Sequence, residues 1–362
     1  MNRPFRRRKT KALWVGNVQI GGDAPVAVQS MTCTDTRNVP ETVAQIEALE
    51  NAGCEIVRVA VPDEAAASVL GEIKKAIHIP IIADIHFNAR YALMAIEQHM
   101  DGIRINPGNM GKENIADVVR AARDYNTAIR VGINAGSLEK PILEKYGGPT
   151  AEALAESALN NLALLEDLGF DRIKLSLKSS HVPTMIDAYR IVAAKTDCPL
   201  HLGVTEAGTL VNSAIKSSIG MGVLLYEGIG DTIRVSVTGN PVSEVGLAYG
   251  ILRALDIRRV GPDIISCPTC GRCEIDLFSL VERVEKALVG MKDDLKIALM
   301  GCVVNGPGEA AEADVGIAGG RGAGLLFRKG NVIRKIKEEE FLEVLLEEIS
   351  EITRNKRNIE EK

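Results

Sequence analysis

One rhythm governs the sequence from residue 26 to residue 237: a short apolar stretch, a polar or glycine-containing turn, then a segment with helical periodicity. Strands are read near 26–31, 56–61, 79–85, 102–106, 128–134, 172–178, 199–205 and 231–237. Val43, Ile46 and Leu49 before Gly53, and the run from Ala151 to Leu168 before Gly169, mark helices that close on glycine. Strands alternating with helices imply parallel pairing, because each connection must cross back over the sheet. Eight such units match an α/β fold of the (β/α)8, TIM-type barrel class. An open doubly wound sheet is the alternative, but no Gly-x-Gly-x-x-Gly follows the first strand. Residues 12–25 read as a short hairpin plugging the barrel bottom. The composition suits this packing, with 46% hydrophobic residues, only 4% aromatics and 34 glycines in 362 residues.

After Leu255 the pattern changes. Asp256 to Pro262 is a charged Gly-Pro linker, and the rest of the chain reads as strand 263–266, helix 274–289, strand 295–300, a glycine-rich turn, strands near 313–318, 323–327 and 331–333, and a closing helix from about 337 to 353. The expected division is a barrel over 1–257 and a small α+β domain over 258–362, with the last residues frayed.

A net charge of −5 gives no overall attraction to nucleic acid or an anionic membrane surface. No apolar run is long enough for a membrane span, and the basic stretch from Arg3 to Lys11 has no apolar segment behind it, so the expected location is the cytoplasm. Any anion must be caught by a local basic cluster.

Such a cluster is legible at the strand ends. Catalytic side chains of a barrel gather at the C-terminal ends of its strands, and residues of one parity point inward. Arg104 and Asn106 share parity on strand four, Arg130 and Asn134 on strand five, and Lys174 and Lys178 on strand six. Strand two offers Arg58, strand three ends in Asp84 and His86, strand seven in Thr205 and Glu206, and strand eight carries Arg234 and Ser236. Several cations converging on one mouth repel unless an anion lies between them. Guanidinium forks chelate phosphate oxygens, so Arg58, Arg104, Arg130 and Lys178 point to a phosphate or diphosphate ligand. Asn106, Asn134, His86 and Ser236 would hydrogen-bond its hydroxyls. Glu206 is either a counter-charge for an arginine or a proton donor or acceptor.

A second cluster lies beyond the linker. Seven cysteines in an expected reducing compartment point to metal or reactive thiols rather than disulfides. Cys33, Cys54 and Cys198 lie in apolar patterns and read as buried small hydrophobes. Cys267 and Cys270 share one tight turn, and Cys302 sits on a later glycine-rich turn with Glu309 shortly after it. Three thiolates with a weaker oxygen ligand indicate an iron–sulfur cluster with one labile iron. The rival is a structural zinc site of four thiolates completed by Cys273, giving a phosphate-binding barrel without redox chemistry. Otherwise Cys273 is a spare thiol at a helix start.

With these residues in place, the chain resembles the 4-hydroxy-3-methylbut-2-enyl diphosphate synthases of the non-mevalonate isoprenoid pathway. The likeness runs from Val28-Gln29-Ser30-Met31-Thr32 through Ala83-Asp84-Ile85-His86-Phe87 and Leu202-Gly203-Val204-Thr205-Glu206-Ala207-Gly208 to Cys267-Pro268-Thr269-Cys270 and Gly301-Cys302-Val303-Val304-Asn305-Gly306-Pro307-Gly308-Glu309. The resemblance implies a [4Fe–4S] cluster on Cys267, Cys270, Cys302 and Glu309, with Glu309 as the ligand that leaves. It implies an iron–sulfur oxidoreductase that opens the ring of 2-C-methyl-D-erythritol 2,4-cyclodiphosphate reductively with loss of water. Ferredoxin or flavodoxin would supply electrons, and Glu206 matches a proton donor to the leaving hydroxyl. It also implies a head-to-tail homodimer, each mouth closed by the partner's cluster domain. The local match Leu177-Lys178-Ser179 favours Lys178 over Lys174 at the phosphate.

Overall fold

The computed structural model describes residues 7–302 and 311–360. It divides into two compact units, Met1–Arg258 and Arg259–Lys362. The first opens with an antiparallel hairpin, β1 (Leu13–Val15) and β2 (Val18–Ile20). Eight parallel strands come next: β3 (Ala27–Met31), β4 (Ile56–Ala60), β5 (Ile81–Asp84), β6 (Gly102–Ile105), β7 (Ala128–Asn134), β8 (Ile173–Lys178), β9 (His201–Leu202) and β10 (Thr232–Ile233). Their spatial order is β8-β7-β6-β5-β4-β3-β10-β9. A parallel bridge between Leu175 and Leu200 joins the two ends, so the sheet closes into the barrel expected from the repeat.

The crossover helices are α1 (Val39–Asn51), α2 (Glu64–Ser68), α3 (Leu70–Ala76), α4 (Ala89–Glu97), α5 (Lys112–Asp124), α6 (Lys140–Tyr146), α7 (Ala151–Asp167), α8 (Val182–Ala193), α9 (Leu210–Tyr226) and α10 (Val242–Ala254). Their limits are written locally. Thr150 caps α7 by accepting from the Ala153 amide, and Gly169 takes the left-handed φ of +70° just past its end. The barrel bottom is sealed by the hairpin, where Leu13, Val15 and Ile20 pack on Ile56, Ile82 and Ala128 near the N-terminal ends of β4, β5 and β7.

Strands seven and eight are shorter than the sequence suggests. They span His201–Leu202 and Thr232–Ile233, not 199–205 and 231–237. Side chains replace the ladder on both flanks: the Asp231 carboxylate accepts the Leu200 amide at 2.7 Å, and the Glu244 carboxylate accepts the Val237 amide at 3.0 Å. Both segments leave the sheet early, which frees Gly203 to Gly208 and Arg234 to Val237 to form loops over the mouth.

The second unit is a five-stranded sheet in the order β11 (Pro262–Ser266), β12 (Leu295–Met300), β13 (Val315–Gly320), β14 (Ala323–Arg328), β15 (Asn331–Lys337). The first three strands are parallel and the rest antiparallel. Helices α11 (Leu277–Ala287) and α12 (Phe341–Glu360) supply Leu280, Val284, Leu345 and Ile349 to a core over Ile297, Leu299 and Ile317. The closing helix runs past residue 353 to 360 and is not frayed over 355–360. Lys356 Nζ donates to the Asp294 carbonyl at 2.8 Å, and Arg357 pairs with Asp293 at 3.0 Å. No helix among the described residues is long and apolar enough to cross a membrane.

Candidate functional site

Inside the barrel, the parallel register stacks charge. Asp84 on β5 pairs with Arg104 on β6, Arg104 with Arg130 on β7, Arg130 with Lys174 on β8, and Asn134 with Lys178. Arg58, Arg104, Arg130, Lys174 and Lys178 are all buried, and Asp84 is buried among them. Two of the five basic groups share the Asp84 carboxylate. Arg104 Nη1 lies 3.3 Å from Oδ1, and Arg58 Nε lies 3.5 Å from Oδ2. Arg104 Nη1 also lies 2.7 Å from a ring nitrogen of His86, and its Nη2 donates to the Gly132 carbonyl at 3.1 Å. The Asn134 amide, turned so that both its groups are satisfied, accepts from Arg104 Nη2 at 2.9 Å.

The remaining cations have no carboxylate of their own. Arg130 Nε and Nη1, Lys174 Nζ and Asn106 Oδ1 are buried without a hydrogen-bond partner among the described residues. Burial, followed by the charges of Arg58 and Arg104, pushes the Arg130 guanidinium well down from its usual range. Lys178 is driven down by burial and then by Arg58, Arg234, Arg130 and Arg104. Lys174 is driven down by burial and then by Arg130 and Arg58; it precedes Lys178 on β8 and so lies deeper in the barrel. Arg58 is lowered to about 10 by burial against the opposing pull of Asp84. Burial would raise the Asp84 carboxyl, but Arg58, Arg104, Arg130 and His86 outweigh it and hold it below the usual range. Burial and then Arg104 lower His86.

The loop after β9 carries Thr205 and Glu206. Thr205 donates its amide to the Ser179 carbonyl at 3.4 Å, and Gly208 accepts from the Thr238 amide at 2.9 Å. Glu206 is exposed and held at φ +52°, a left-handed conformation that a non-glycine residue adopts at some expense and that clusters at functional sites. Ser236 lies in the partner loop, where its carbonyl accepts from Ser213 Oγ at 2.7 Å. The structure thus gathers Arg58, His86, Arg104 and Asn134 around Asp84, and sets Arg130 and Lys178 among the same charges. Two participants escaped the sequence reading. Arg234 was noted but not assigned to the ligand, and Glu244, its partner at 3.0 Å, went unnoticed. An acid at the start of the otherwise apolar α10 was the available signal.

In the second unit, the ends of two adjacent parallel strands bring cysteines together. Ser266 pairs with Leu299, so Cys267 emerges beside the end of the neighbouring strand, close to Gly301, the residue before Cys302. The Gly301 amide donates to Cys267 Sγ at 3.3 Å. The Cys267–Cys270 turn passes through a left-handed Thr269 at φ +52°, and the Cys273 amide donates to the Cys270 carbonyl at 2.9 Å. The exposed Cys270 thiol is lowered first by the Arg272 amide. A side chain on Gly301 would meet Cys273 Sγ at 2.4 Å and Cys267 Sγ at 3.4 Å, so this glycine leaves room for sulfur. Among the described residues no three Cys, His, Asp or Glu side chains already converge on one metal position. Glu309 lies outside the described residues. Soft donors on neighbouring turns, with an amide aimed at one sulfur, suit an iron–sulfur group.

Comparison with known proteins covers both units. The model of the GcpE TIM-barrel domain matches residues 10–249, and that of the GcpE protein C-terminal domain matches residues 263–351. A protein of Geobacter sulfurreducens named 4-hydroxy-3-methylbut-2-en-1-yl diphosphate synthase (flavodoxin) is 56% identical over 97% of this chain and 99% of its own length. A protein of the same name from Maridesulfovibrio salexigens is 57% identical over 98% of this chain and 99% of its own. Among solved structures, the type I 3-dehydroquinate dehydratase of Clostridium difficile has a TM-score of 0.51 at 15% identity, covering 68% of this chain and 98% of that one, a likeness of barrel fold alone. With both domain models matched in order and near-complete relatives above half identity, the chain belongs to the GcpE family.

Proposed function

We propose that this chain is a 4-hydroxy-3-methylbut-2-enyl diphosphate synthase, which opens 2-C-methyl-D-erythritol 2,4-cyclodiphosphate by two-electron reduction with loss of water. The observation that carries the reading is the barrel interior, where Asp84 pairs with only two, Arg58 and Arg104, of five buried basic side chains. Buried cations without counter-charge demand an anion of matching charge, and a diphosphate supplies it. Arg58, Arg104, Arg130 and Lys178 bind the diphosphate. His86, Asn106, Asn134, Thr205 and Ser236 orient the carbon skeleton and its hydroxyls. Glu206, exposed on its strained loop, delivers the proton to the departing hydroxyl.

Cys267, Cys270, Cys302 and Glu309 would hold a [4Fe–4S] cluster. When bound, that cluster supplies electrons one at a time and a Lewis-acidic iron. Reduced flavodoxin or ferredoxin is the proposed donor, in keeping with the relatives named for flavodoxin. The working form is a cytoplasmic head-to-tail homodimer. Supporting this, the chain leaves the barrel unit at its bottom: Arg258 donates to the Val26 carbonyl at 3.1 Å and pairs with Glu55 at 2.6 Å, beside the starts of β3 and β4 and opposite the mouth.

Anaerobically reconstituted protein should contain iron and sulfide and turn over the cyclic diphosphate only with a reductant. A colourless zinc protein, or turnover without reductant, would defeat the reading. Mixing a Cys302→Ser chain with a Glu206→Gln chain should restore part of the activity through hybrid dimers. Absence of rescue would count against sites shared between chains.

A further inference from the structure

Glu244 is a carboxylate with only 2% of its surface exposed, in the first turn of α10, and no step proposed above uses it. It nevertheless collects four donors. Arg234 Nη2 donates to Oε1 at 3.0 Å and Arg234 Nε to Oε2 at 3.2 Å. The Val237 amide donates to Oε1 at 3.0 Å, and Ser30 Oγ, from β3, donates to Oε2 at 2.8 Å. One carboxylate therefore locks the loop after β10 to the end of β3 and grips the Arg234 guanidinium along one edge. A bidentate grip fixes the plane of the fork as well as its position.

What the grip leaves free matters most. Arg234 Nη1 has no hydrogen-bond partner among the described residues, and the side chain sits among the cations of the mouth. A side chain on Gly203 would lie 2.7 Å from the Arg234 carbonyl and 3.1 Å from Lys178 Nζ, so the Arg234 backbone and the Lys178 ammonium flank that glycine. Arg234 also ranks with Arg58 and Arg130 among the charges acting on Lys178. A guanidinium held on one edge and open on the other, beside a lysine without a carboxylate, has the layout of a phosphate clamp.

We propose that Glu244 is a positioning residue: by fixing Arg234 it turns the free edge of that guanidinium toward one phosphate group of the substrate and completes the cradle with Lys178 and Arg58. This rests on the diphosphate reading of the mouth. Two effects of removing the carboxylate oppose each other, which makes the proposal decidable. Loss of a negative charge alone tightens anion binding, whereas loss of positioning weakens it.

The test titrates inorganic pyrophosphate into the full-length protein by calorimetry, for wild type, Glu244→Gln, Glu244→Asp, Ser30→Ala, Arg234→Met and the double variant Glu244→Gln/Arg234→Met. Glu244→Gln should weaken pyrophosphate by roughly tenfold and raise KM more than it lowers kcat, because one well-set guanidinium contact is of that order. Ser30→Ala, which removes one support and leaves the Arg234 pair in place, should weaken it less. In the Arg234→Met background, Glu244→Gln should weaken binding no further, because only the loss of a negative charge, which favours the anion, remains. Pyrophosphate binding that is unchanged or tighter in Glu244→Gln overturns the proposal. So does an equal loss with and without Arg234, which would make Glu244 a general support of the fold. If Glu244→Gln does not fold, the comparison of Glu244→Asp and Ser30→Ala with Arg234→Met decides by the same criteria. A wild-type protein that binds no pyrophosphate overturns the diphosphate reading itself, and this proposal with it.

Discussion

Arg104 Nη1 stands 3.3 Å from Asp84 Oδ1, with both side chains more than nine-tenths buried, and the other oxygen of the same carboxylate serves Arg58 at 3.5 Å. One acid thus holds two arginines of the mouth in register across β4, β5 and β6. Removing one partner of a buried pair strands the other charge, at about 3–5 kcal/mol. Asp84→Asn should therefore lower the denaturant midpoint of the barrel clearly. The dependence on pH has a definite sign. The folded Asp84 carboxyl is held below its usual value, so its contribution is fully present above the unfolded value of about 3.9 and is lost as pH falls through the folded value. The gap between wild type and Asp84→Asn in urea titrations should be constant from neutral pH down to about pH 5 and close only in stronger acid. A gap that closes near neutral pH would contradict the pairing.

Gly132 tests the same arginine from the opposite side. A side chain there would come 2.2 Å from Arg104 Nε and 3.0 Å from its Cζ. Gly132→Ala should evict the guanidinium from the Gly132 carbonyl and from Asp84, at an overpacking penalty of about 1–3 kcal/mol. Pyrophosphate affinity should fall while the circular dichroism spectrum stays that of the wild type. Wild-type affinity would show that Arg104 is not part of the cradle.

Lys178 should report ligand binding as a proton count. Burial and four arginines lower its ammonium well below the ordinary lysine value, and a diphosphate set among those charges raises it again. Binding should therefore take up a proton at pH values between the lowered value of the free enzyme and the raised value of the complex, and affinity should weaken as pH rises through the former. Calorimetry of pyrophosphate in buffers of different ionisation enthalpy measures the uptake. Lys178→Met should abolish it, whereas Lys174→Met, deeper in the barrel, should leave most of it.

How much of this was legible in the sequence depends on the range of the interactions. The barrel period was readable because buried parallel strands are apolar and helices such as α7 carry local limits, Thr150 at its start and Gly169 just past its end. Inward parity on single strands likewise identified Arg104 with Asn106 and Arg130 with Asn134. The late start of β9 and the early end of β10 were not readable, since they depend on Asp231 and Glu244 accepting amides from outside any strand pattern. Nor could parity rank Lys174 against Lys178, because both point inward and differ only in depth. The extension of α12 to residue 360 rests on Lys356 and Arg357 reaching Asp294 and Asp293, a contact between segments far apart in the chain.

Cys273 was left without a role by its spacing, and its surroundings now give it a testable one. Its sulfur occupies the space a Gly301 side chain would need, at 2.4 Å, while Cys267 Sγ stands 3.4 Å from the same point and accepts the Gly301 amide. Gly301→Ala should push Cys273 toward the Cys267 turn and disturb the amide that supports that sulfur, at about 1–3 kcal/mol of overpacking. Iron bound per chain after anaerobic reconstitution should drop, together with the thermal midpoint of the iron-free protein. Cys273→Ala alone should retain iron near the wild-type level, because the proposed donor set does not include its sulfur. In the double variant Gly301→Ala/Cys273→Ala the space is restored, and both the midpoint and the iron content should recover. A Cys273→Ala protein that loses iron as completely as Cys267→Ala would instead make Cys273 a ligand, and the site would then hold four thiolates.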